Sequence, residues 1–383
     1  RLLGVWSKQC SLPSTARIGI DMRSISLFSG CGGLDIGLHE AGFRTALACD
    51  LERLCAETWR RNMPGTPFLG GRIGTWTRAD VVEAMGGKIG EIDLIAGGPP
   101  CPPFSKSRFY RTDKPRALDD PNGWETVDGY LRMLEWVRPR GFILENVKGL
   151  AYRVHSDALK TIIERAEKIG YKVSTGVLNA ADFGVPQIRE RCFVVGALDR
   201  QIILPTPTHS RDPNTGRLPW VTAGEALADL DTEENACDEG HFAGGQHHDL
   251  LRQVPPGDNY LYFTEKRGHP APQFKWRGRY WSFLLKLSPD MPSWTIQARR
   301  SNNMGPFHWR SRILRISEIK RLQTFPDAFD LAGTIEQQWR QIGNAVPPML
   351  AAAVGRSVAD AIGCRSGKCH HNSDFLINSP HEL

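Results

Sequence analysis

The chain has 383 residues, which is enough for one large domain and a smaller second one. Lys and Arg number 48 against 42 Asp and Glu, and the formal charge of +6 favours an anionic partner. The 9 cysteines lack the spacing of a disulfide framework, and the chain shows neither a secretory leader nor an apolar run of about 18 residues. We therefore expect a soluble cytoplasmic protein with reduced thiols, rather than a secreted or membrane-spanning one.

Strand patterns alternate with helical patterns up to about residue 197. The predicted strands are 24–28, 43–49, 92–96, 141–144, 171–178 and 191–195. The predicted helices between them are 34–41, 52–61, 124–137 and 156–169. Strands separated by helices predict an α/β fold with a doubly wound, mostly parallel sheet.

The composition changes from about residue 204. Pro, Gly, Asn, His and Trp become frequent, and basic residues mix with aromatic ones to about residue 309, before helical patterns return at 317–323 and 347–362. The sequence thus predicts an organisation in five segments. These are an N-terminal extension (1–20), a large α/β domain (21–199), a smaller domain (200–335), a helix that completes the first domain (340–363) and a flexible tail (364–383).

A cysteine follows one predicted strand directly. The segment GGPPCPPFS at 97–105 ends the strand 92–96, and its prolines hold Cys101 on a rigid turn. Open α/β sheets place their chemistry at the carboxyl ends of their strands. Taken alone, such a cysteine is more often a packing residue than a nucleophile, but the rest of the sequence favours the nucleophile.

A glycine cluster at 28–37 lies between the first strand and the first helix. Glycines there let a ligand approach the backbone, and the helix start supplies amide donors. Asp50 ends the second strand about twenty residues later, where an acid accepts hydrogen bonds from ribose hydroxyls. The pattern predicts a nucleoside cofactor without distinguishing NAD from S-adenosylmethionine.

Polar residues mark three further places. Glu145 ends another strand, Arg189 and Arg191 precede the strand 191–195, and 341–348 reads as a loop that turns into the final helix. Each has an ordinary interpretation by itself: a solvated acid, a charged strand entry and a turn with Pro at a helix start. The order of these residues along the chain decides between the ordinary interpretations and a functional one.

Six motifs in one order resemble the DNA (cytosine-5)-methyltransferases of bacterial restriction–modification systems. They are FSGCGG (28–33), GGPPC (97–101), ENV (145–147), QxRxR (187–191), RLQxFP (321–326) and GNAVP (343–347). The resemblance covers about residues 24–362. It implies the Rossmann-like fold of the S-adenosylmethionine-dependent methyltransferases, with a smaller target-recognition domain that reads double-stranded DNA.

The resemblance implies a catalytic role for four residues. Cys101 is the nucleophile that adds to C6 of cytosine and makes C5 reactive, which splits one difficult step into two. Glu145 holds and protonates the N3 edge of the base. Arg191 contacts the O2 atom, while Arg189 braces the active-site loop or the carboxylate.

The resemblance also implies S-adenosylmethionine as the cofactor. Phe28 would stack on the adenine, Asp50 bind the ribose and Asp80 bind the adenine amino group. The full predicted cofactor set is Phe28, Gly30, Gly33, Leu34, Asp50, Asp80, Pro100, Asn344 and Val346. Gly30 and Gly33 would let the methionine part pass close to the backbone. Two departures from the family pattern are Pro102, where Gln is usual, and Leu51, where an aromatic residue is frequent.

Double-stranded DNA is the implied partner, and the target base must leave the stack to reach such a pocket. Ser105, Lys106 and Arg108 lie in a basic loop suited to closing over DNA. Sequence reading should fall within about 204–307, where we predict contacts from Arg299, Arg300 and Asn302. We expect a monomer without a bound metal, found at the nucleoid through its substrate, and a restriction endonuclease that acts on the same site.

Two other functions stay open from the sequence, and a third is disfavoured. An RNA (tRNA) cytosine-5 methyltransferase would share most of the motifs. A catalytically silent DNA-binding regulator would share the fold, although the intact Cys101, Glu145 and Arg191 argue against it. A nucleotide oxidoreductase explains the glycine cluster and leaves the other motifs unexplained.

Overall fold

A computed structural model describes residues 22–100, 117–231, 243–277 and 280–363. Its strands are β1 (Met22–Leu27), β2 (Phe43–Asp50), β3 (Phe68–Gly70), β4 (Leu94–Gly97), β5 (Gly141–Val147), β6 (Lys172–Asn179), β7 (Gln187–Ile188), β8 (Glu190–Ala197), β9 (His209–Ser210), β10 (Leu218–Pro219) and β11 (Ser293–Trp294). Its α-helices are α1 (Gly33–Glu40), α2 (Arg53–Asn62), α3 (Arg78–Ala84), α4 (Pro121–Val137), α5 (Ser156–Ile169), α6 (Ala223–Leu227), α7 (His248–Gln253), α8 (Ile316–Leu322), α9 (Ile335–Asn344) and α10 (Pro348–Gly363). Cys101, Ser105, Lys106 and Arg108, together with the predicted extension and tail, lie outside the described residues.

Seven strands form one sheet in the order β3-β2-β1-β4-β5-β8-β6. Neighbours from β3 to β5 are parallel, whereas β8 is antiparallel to both β5 and β6. The predicted fold class, a doubly wound and mostly parallel sheet, is confirmed. The sequence did not reveal which strand is reversed, because a strand's own residues do not record the direction of its neighbours.

The central strands are buried on both faces. Ile95 on β4 packs into a core with α4 and α5, while Leu94 and Ala96 pack into a second core with α1 and α10. A strand covered by helices on both faces reads as a continuous apolar run. This explains why the pattern at 92–96 showed no alternation.

The last helix, α10, belongs to the first domain in space. It packs against α1, where a side chain in place of Gly37 would overlap the carbonyl oxygen of Pro348. Leu350 and Val354 fill the core on that side of the sheet together with Leu38.

A third core lies in the part of the chain that follows the sheet. It holds apolar residues from α6 to α9, and it meets the loop before α1 at Cys31 and α1 itself at Ile36. The short parallel pair β7–β11 joins the two regions, because Gln187 and Ile188 align with Ser293 and Trp294. Among the described residues, the helices are too short or too polar to cross a membrane.

One predicted loop is partly helical. Residues 341–344 form the last turn of α9, and the loop begins at Ala345. The start of α9 is fixed by a capping box, in which Thr334 and Gln337 bond each other's backbone amides. The T-x-x-Q spacing is visible in the sequence and could have predicted this helix.

Candidate functional site

A cavity of about 1020 Å³ opens at the carboxyl edge of β1, β2, β4 and β5. Most of the predicted site residues that the structure describes line it: Phe28, Gly30, Gly33, Leu34, Asp50, Pro100, Glu145, Arg189, Arg191, Asn344 and Val346. They come from six separate stretches of the chain. The topology brings them together because parallel strands end at one edge of the sheet.

Asp50 and the glycine loop form one wall of the cavity. The backbone amides of Gly30 and Glu52 each donate to one carboxylate oxygen of Asp50, at 2.8 Å in both cases. Burial raises the pKa of Asp50, and these amide donors oppose that rise. A carboxylate has about four acceptor positions, so Asp50 retains capacity for the two hydroxyls of a ribose.

The backbone of the glycine loop is strained at Phe28. This residue has a φ of 53°, which is rare for an aromatic side chain. Gly30 also has a φ of 53°, and nothing lies within 4 Å of the position that a Cβ atom would take there. Such strain is concentrated at ligand sites, and the open space at Gly30 fits a ligand that passes close to the backbone.

Gly33 has a different reason to be glycine than the one we predicted. A Cβ atom there would lie 2.5 Å from the carbonyl oxygen of Val346. The residue therefore lets the first turn of α1 pack on the loop before α10. It lines the cavity, but protein packing rather than the passage of a ligand excludes a side chain.

Asp80 does not line the cavity, so the prediction that it binds adenine is not supported. The residue belongs to the capping box of α3, where its carboxylate accepts from the amide nitrogen and hydroxyl of Thr77 at 2.7 and 2.8 Å. These bonds lower the pKa of Asp80. The T-x-x-D spacing at 77–80 is typical of such a cap and is visible in the sequence.

Glu145 and Arg191 form a buried ion pair at the bottom of the cavity. Arg191 Nε lies 2.9 Å from Glu145 Oε1, and the side chains are 12% and 6% exposed. Burial raises the pKa of Glu145, whereas Arg191 and Arg189 act in the opposite direction. The site thus holds a carboxyl group that is closer to protonation than an exposed glutamate, beside a fixed positive charge.

We predicted that Arg189 braces the active-site loop or the Glu145 carboxylate, whereas the structure shows its side chain bonded to carbonyl groups of other segments. Its guanidinium donates to the carbonyl oxygens of Ile296, Gly343 and Ala345 at 3.0, 2.8 and 3.0 Å. The side chain is buried at the junction of β8, the segment after β11 and the loop before α10. Arg189 therefore fixes the far wall of the cavity.

The turn that leads to Cys101 is fixed by a residue that we did not single out. Asn146 Nδ2 donates to the carbonyl oxygen of Pro99 at 3.1 Å, and its Oδ1 accepts from the amide of Val147 at 2.9 Å. The side chain is buried. Asn146 is part of the ENV motif, and its position beside the predicted catalytic residue Glu145 at a strand end is the signal that marks it.

Replacement of Gly98 by alanine is expected to damage the site more than the fold. The added Cβ atom would lie 2.7 Å from Glu145 Oε2 and push the carboxylate away from Arg191. We expect a fall in turnover of about 100-fold, because small misplacements of reacting groups cost that much. The loss of stability should stay within the about 1–3 kcal/mol typical of overpacking. Steady-state kinetics and urea unfolding measure the two effects.

Gly70 offers a matched control, because nothing lies within 4 Å of the Cβ position there. Gly70→Ala should leave turnover close to that of the parent. A Gly98→Ala protein with normal turnover would show that the close approach of the turn to Glu145 is not needed.

The predicted DNA-contacting residues fall in different places. Arg299 is exposed and lines a second cavity of about 720 Å³, which shares Gln297 with the first. Arg300 is only 16% exposed and lies 3.6 Å from Glu336, so the structure directs it towards α9 rather than outward. Asn302 is exposed and lines neither cavity. In the described part of the chain, no cluster of His, Cys, Asp or Glu suits a metal ion.

The family profile described as C-5 cytosine-specific DNA methylase matches residues 22–360 of the chain. The type II methyltransferase M.SacI of Streptomyces achromogenes is 40% identical over 368 residues, which cover 88% of this chain and 93% of that protein. The type II methyltransferase M.NgoFVII of Neisseria gonorrhoeae is 34% identical, with 87% and 85% covered.

Solved structures agree on the fold. A DNA modification methyltransferase described as putative, encoded within an Escherichia coli prophage, superposes with a TM-score of 0.62 at 21% identity, covering 90% of this chain and all of its own. The methyltransferase EhMeth of Entamoeba histolytica gives a TM-score of 0.60 at 17% identity, covering 89% and 99%.

Proposed function

Because this chain belongs to the C-5 cytosine-specific DNA methylase family, we propose that it methylates cytosine within one DNA sequence as the protective enzyme of a restriction–modification system. Its relatives of 40% and 34% identity are named as type II methyltransferases, and both alignments cover most of either chain. The observation that carries the assignment is the meeting of Glu145, Arg191 and the Cys101 turn beside a nucleoside-sized cavity.

S-adenosylmethionine is the cofactor of this family, and the cavity suits it. Asp50 presents a held carboxylate to a ribose, Gly30 leaves open space beside the backbone, and Phe28 offers a ring at the loop. When bound, the cofactor supplies an activated methyl group. We assign its binding to Phe28, Gly30, Leu34, Asp50, Pro100, Asn344 and Val346, with Gly33 as a packing residue.

The proposed chemistry begins at the target cytosine. The thiolate of Cys101 adds to C6 while the carboxyl group of Glu145 gives its proton to N3, so that C5 becomes nucleophilic. Arg191 pairs with the Glu145 side chain at 2.9 Å, and we assign to it the contact with the O2 atom of the base. After C5 has taken the methyl group, a base removes the C5 proton, the electrons of that C–H bond form the C5–C6 double bond and expel the cysteine thiolate, and N3 returns its proton to Glu145.

Asn146 and Arg189 act on this chemistry through other groups. Asn146 holds the Pro99 carbonyl, two residues before the nucleophile. Arg189 ties the strand that carries Arg191 to the loops on the far wall. We propose that both are positioning residues.

A plasmid assay tests the proposed function. The chain is expressed in bacteria without cytosine methylation, and the plasmid is sequenced after bisulfite treatment. We expect protected cytosines at one recurrent sequence and resistance to an endonuclease that cuts there. Purified protein that transferred labelled methyl groups to tRNA and not to DNA would favour the RNA enzyme, and transfer to neither would favour the silent regulator.

Asp50→Ala is expected to weaken the binding of S-adenosylmethionine. The variant loses hydrogen bonds to the ribose from a charged acceptor, and such bonds contribute about 1.5–3 kcal/mol. The KM for the cofactor should therefore rise by about 10-fold to 100-fold, and isothermal titration should show the same loss. The KM for DNA is the internal control and should change little. An unaltered cofactor KM would remove Asp50 from the ribose site.

Residues 200–335 are proposed as the target-recognition domain, and Arg299 is its strongest candidate for DNA contact. Arg299 is exposed and makes no ion pair with a described residue. If it reads a base, Arg299→Ala should cost about 1–3 kcal/mol and relax one position of the site. If it binds phosphate, the variant should weaken all sequences alike and reduce the salt dependence of binding.

Arg300→Ala is the matched comparison, because Arg300 is the next residue in the chain and its guanidinium is directed towards Glu336. Its effect on DNA affinity should be smaller than that of Arg299→Ala in filter-binding titrations over a range of salt. The reverse order would mean that the side chains exchange roles on DNA.

We also propose that the protein acts as a monomer and that a cognate restriction endonuclease cuts the same site.

A further inference from the structure

The second cavity, of about 720 Å³, lies outside the catalytic site and has an unusual balance of charge. Lys275, Arg277 and Arg299 line it, and none of the lining residues that the structure describes is acidic. None of the three forms an ion pair with a described residue. Uncompensated cations around a concave surface attract an anionic ligand.

Aromatic rings form the walls of the second cavity. The rings of Phe274 and Phe283 pack edge to face, with centroids 5.5 Å apart and planes at 86°. Tyr260 packs against both, and the side chain of Tyr280 is 40% exposed at the rim. Rings held in this way offer stacking surfaces to a planar group such as a nucleobase.

An amide in the second cavity lacks a partner. Asn303 Oδ1 is buried and accepts no hydrogen bond from any described residue. A buried acceptor without a donor costs free energy, and a rotation of the amide towards the cavity would let a donor on a ligand satisfy it. The exocyclic amino groups and ring N–H groups of nucleobases are such donors.

The shape of the second cavity decides how DNA can reach it. Base edges in a duplex lie at the floor of a groove about 8.5 Å deep, so protruding side chains read them. A concave surface can take only a group that itself projects from the duplex. The volume of the second cavity lies in the range of about 300–1,000 Å³ that is usual for pockets of small ligands.

We propose that the second cavity holds one nucleotide of the substrate DNA that has left the duplex and is not the target cytosine. Its base lies against Phe283 and Tyr280 with its edge on Asn303, and its phosphate lies near Arg277 and Arg299. Gln297 lines both cavities, which places this nucleotide next to the catalytic site. The inference rests on the proposed function, since it takes DNA as the substrate.

Mispaired duplexes test this inference by binding alone. Each base of the methylated sequence is kept in turn while its partner is changed, and the affinity for the full-length protein is measured by competition. A base that must leave the stack binds more tightly when it is already unpaired. We expect about tenfold tighter binding at two positions, the target cytosine and one other. Fluorescence of 2-aminopurine at the second position should rise on binding.

Asn303→Leu should remove the gain at the second position and keep the gain at the target cytosine. Tyr280→Leu is a second variant with the same expectation, and its exposed site tolerates the change. Asn214→Leu is the matched control, because that side chain bonds Asp212 and lines neither cavity. The control should bind all duplexes as the parent does.

Two results would overturn the inference. One is a gain at the target cytosine alone, without a fluorescence rise elsewhere. The other is an Asn303→Leu protein that binds every duplex more weakly by the same factor. That result would mean that the cavity binds the DNA backbone and not a displaced base. Methyl transfer to the unaltered duplex is measured first, so a protein that does not act on DNA is recognised as a failure of the proposed function.

Discussion

Cys101→Ser should abolish methyl transfer, with turnover reduced at least about 1,000-fold, while DNA affinity stays within about twofold of the parent. A serine hydroxyl is far less acidic and less nucleophilic than a thiol, so addition to C6 no longer occurs. The described part of the turn should remain in place, because Asn146 bonds the backbone carbonyl oxygen of Pro99, which the substitution does not change. Labelled methyl transfer and gel-shift titration measure the two quantities.

Cys192→Ser is the matched control for the loss of a thiol. Cys192 is buried in the sheet and does not line the catalytic cavity. Burying a hydroxyl there should cost about 1–3 kcal/mol of stability, yet the folded protein should turn over normally. Near-normal turnover of Cys101→Ser would exclude covalent catalysis by this residue.

A substrate with 5-fluorocytosine at the target position gives independent evidence for the covalent step. Fluorine replaces the proton that must leave C5, so elimination of the cysteine is blocked after methyl transfer. A protein–DNA adduct that survives denaturation should form only when S-adenosylmethionine is present. Turnover on normal DNA without an adduct on the fluorinated duplex would argue against the pathway.

Glu145→Gln should lower turnover by about 100-fold to 10,000-fold, which is the usual range for a lost general acid. Glutamine keeps the shape and can still bond the base, but it has no proton to give to N3. Arg191 would also lose its charged partner at 2.9 Å. Single-turnover kinetics separate this chemical defect from weaker binding of DNA.

The pH dependence of turnover shows which protonation state of Glu145 is the active one. Burial raises the pKa of Glu145, so the carboxyl group is protonated at low pH and loses its proton as the pH rises through that raised value. The advantage of the parent over Glu145→Gln should therefore shrink as the pH rises. An advantage that grew with pH would mean that the ionised carboxylate is the active form.

The sequence predicted the elements of the site better than its contacts. Apolar runs that end in glycine or an acid located Asp50, Cys101 and Glu145, because strand ends meet at one edge of a parallel sheet. The partners of Arg189 could not be predicted, since its acceptors Ile296 and Gly343 lie 107 and 154 residues away along the chain. Spacing within a motif carries no information about such distant carbonyl groups.

The errors in prediction came from local signals that were present and underused. Asp80 was assigned to adenine although Thr77 stands three residues before it, and the pair caps α3. Residues 341–344 were assigned to a loop although the spacing of Thr334 and Gln337 begins a helix. In both cases a capping box was the better guide.

The contact between α1 and α10 has a consequence for biosynthesis. About 150 residues separate the end of β8 from the start of α10, and ribosomes need roughly 8–30 s to synthesise that length. During this interval Leu38 and the apolar face beneath it lack the helix that covers them in the finished protein. The nascent chain thus emerges with an open hydrophobic surface, which a chaperone can shield, and the Val346 wall of the cavity can form only after the intervening residues have been synthesised.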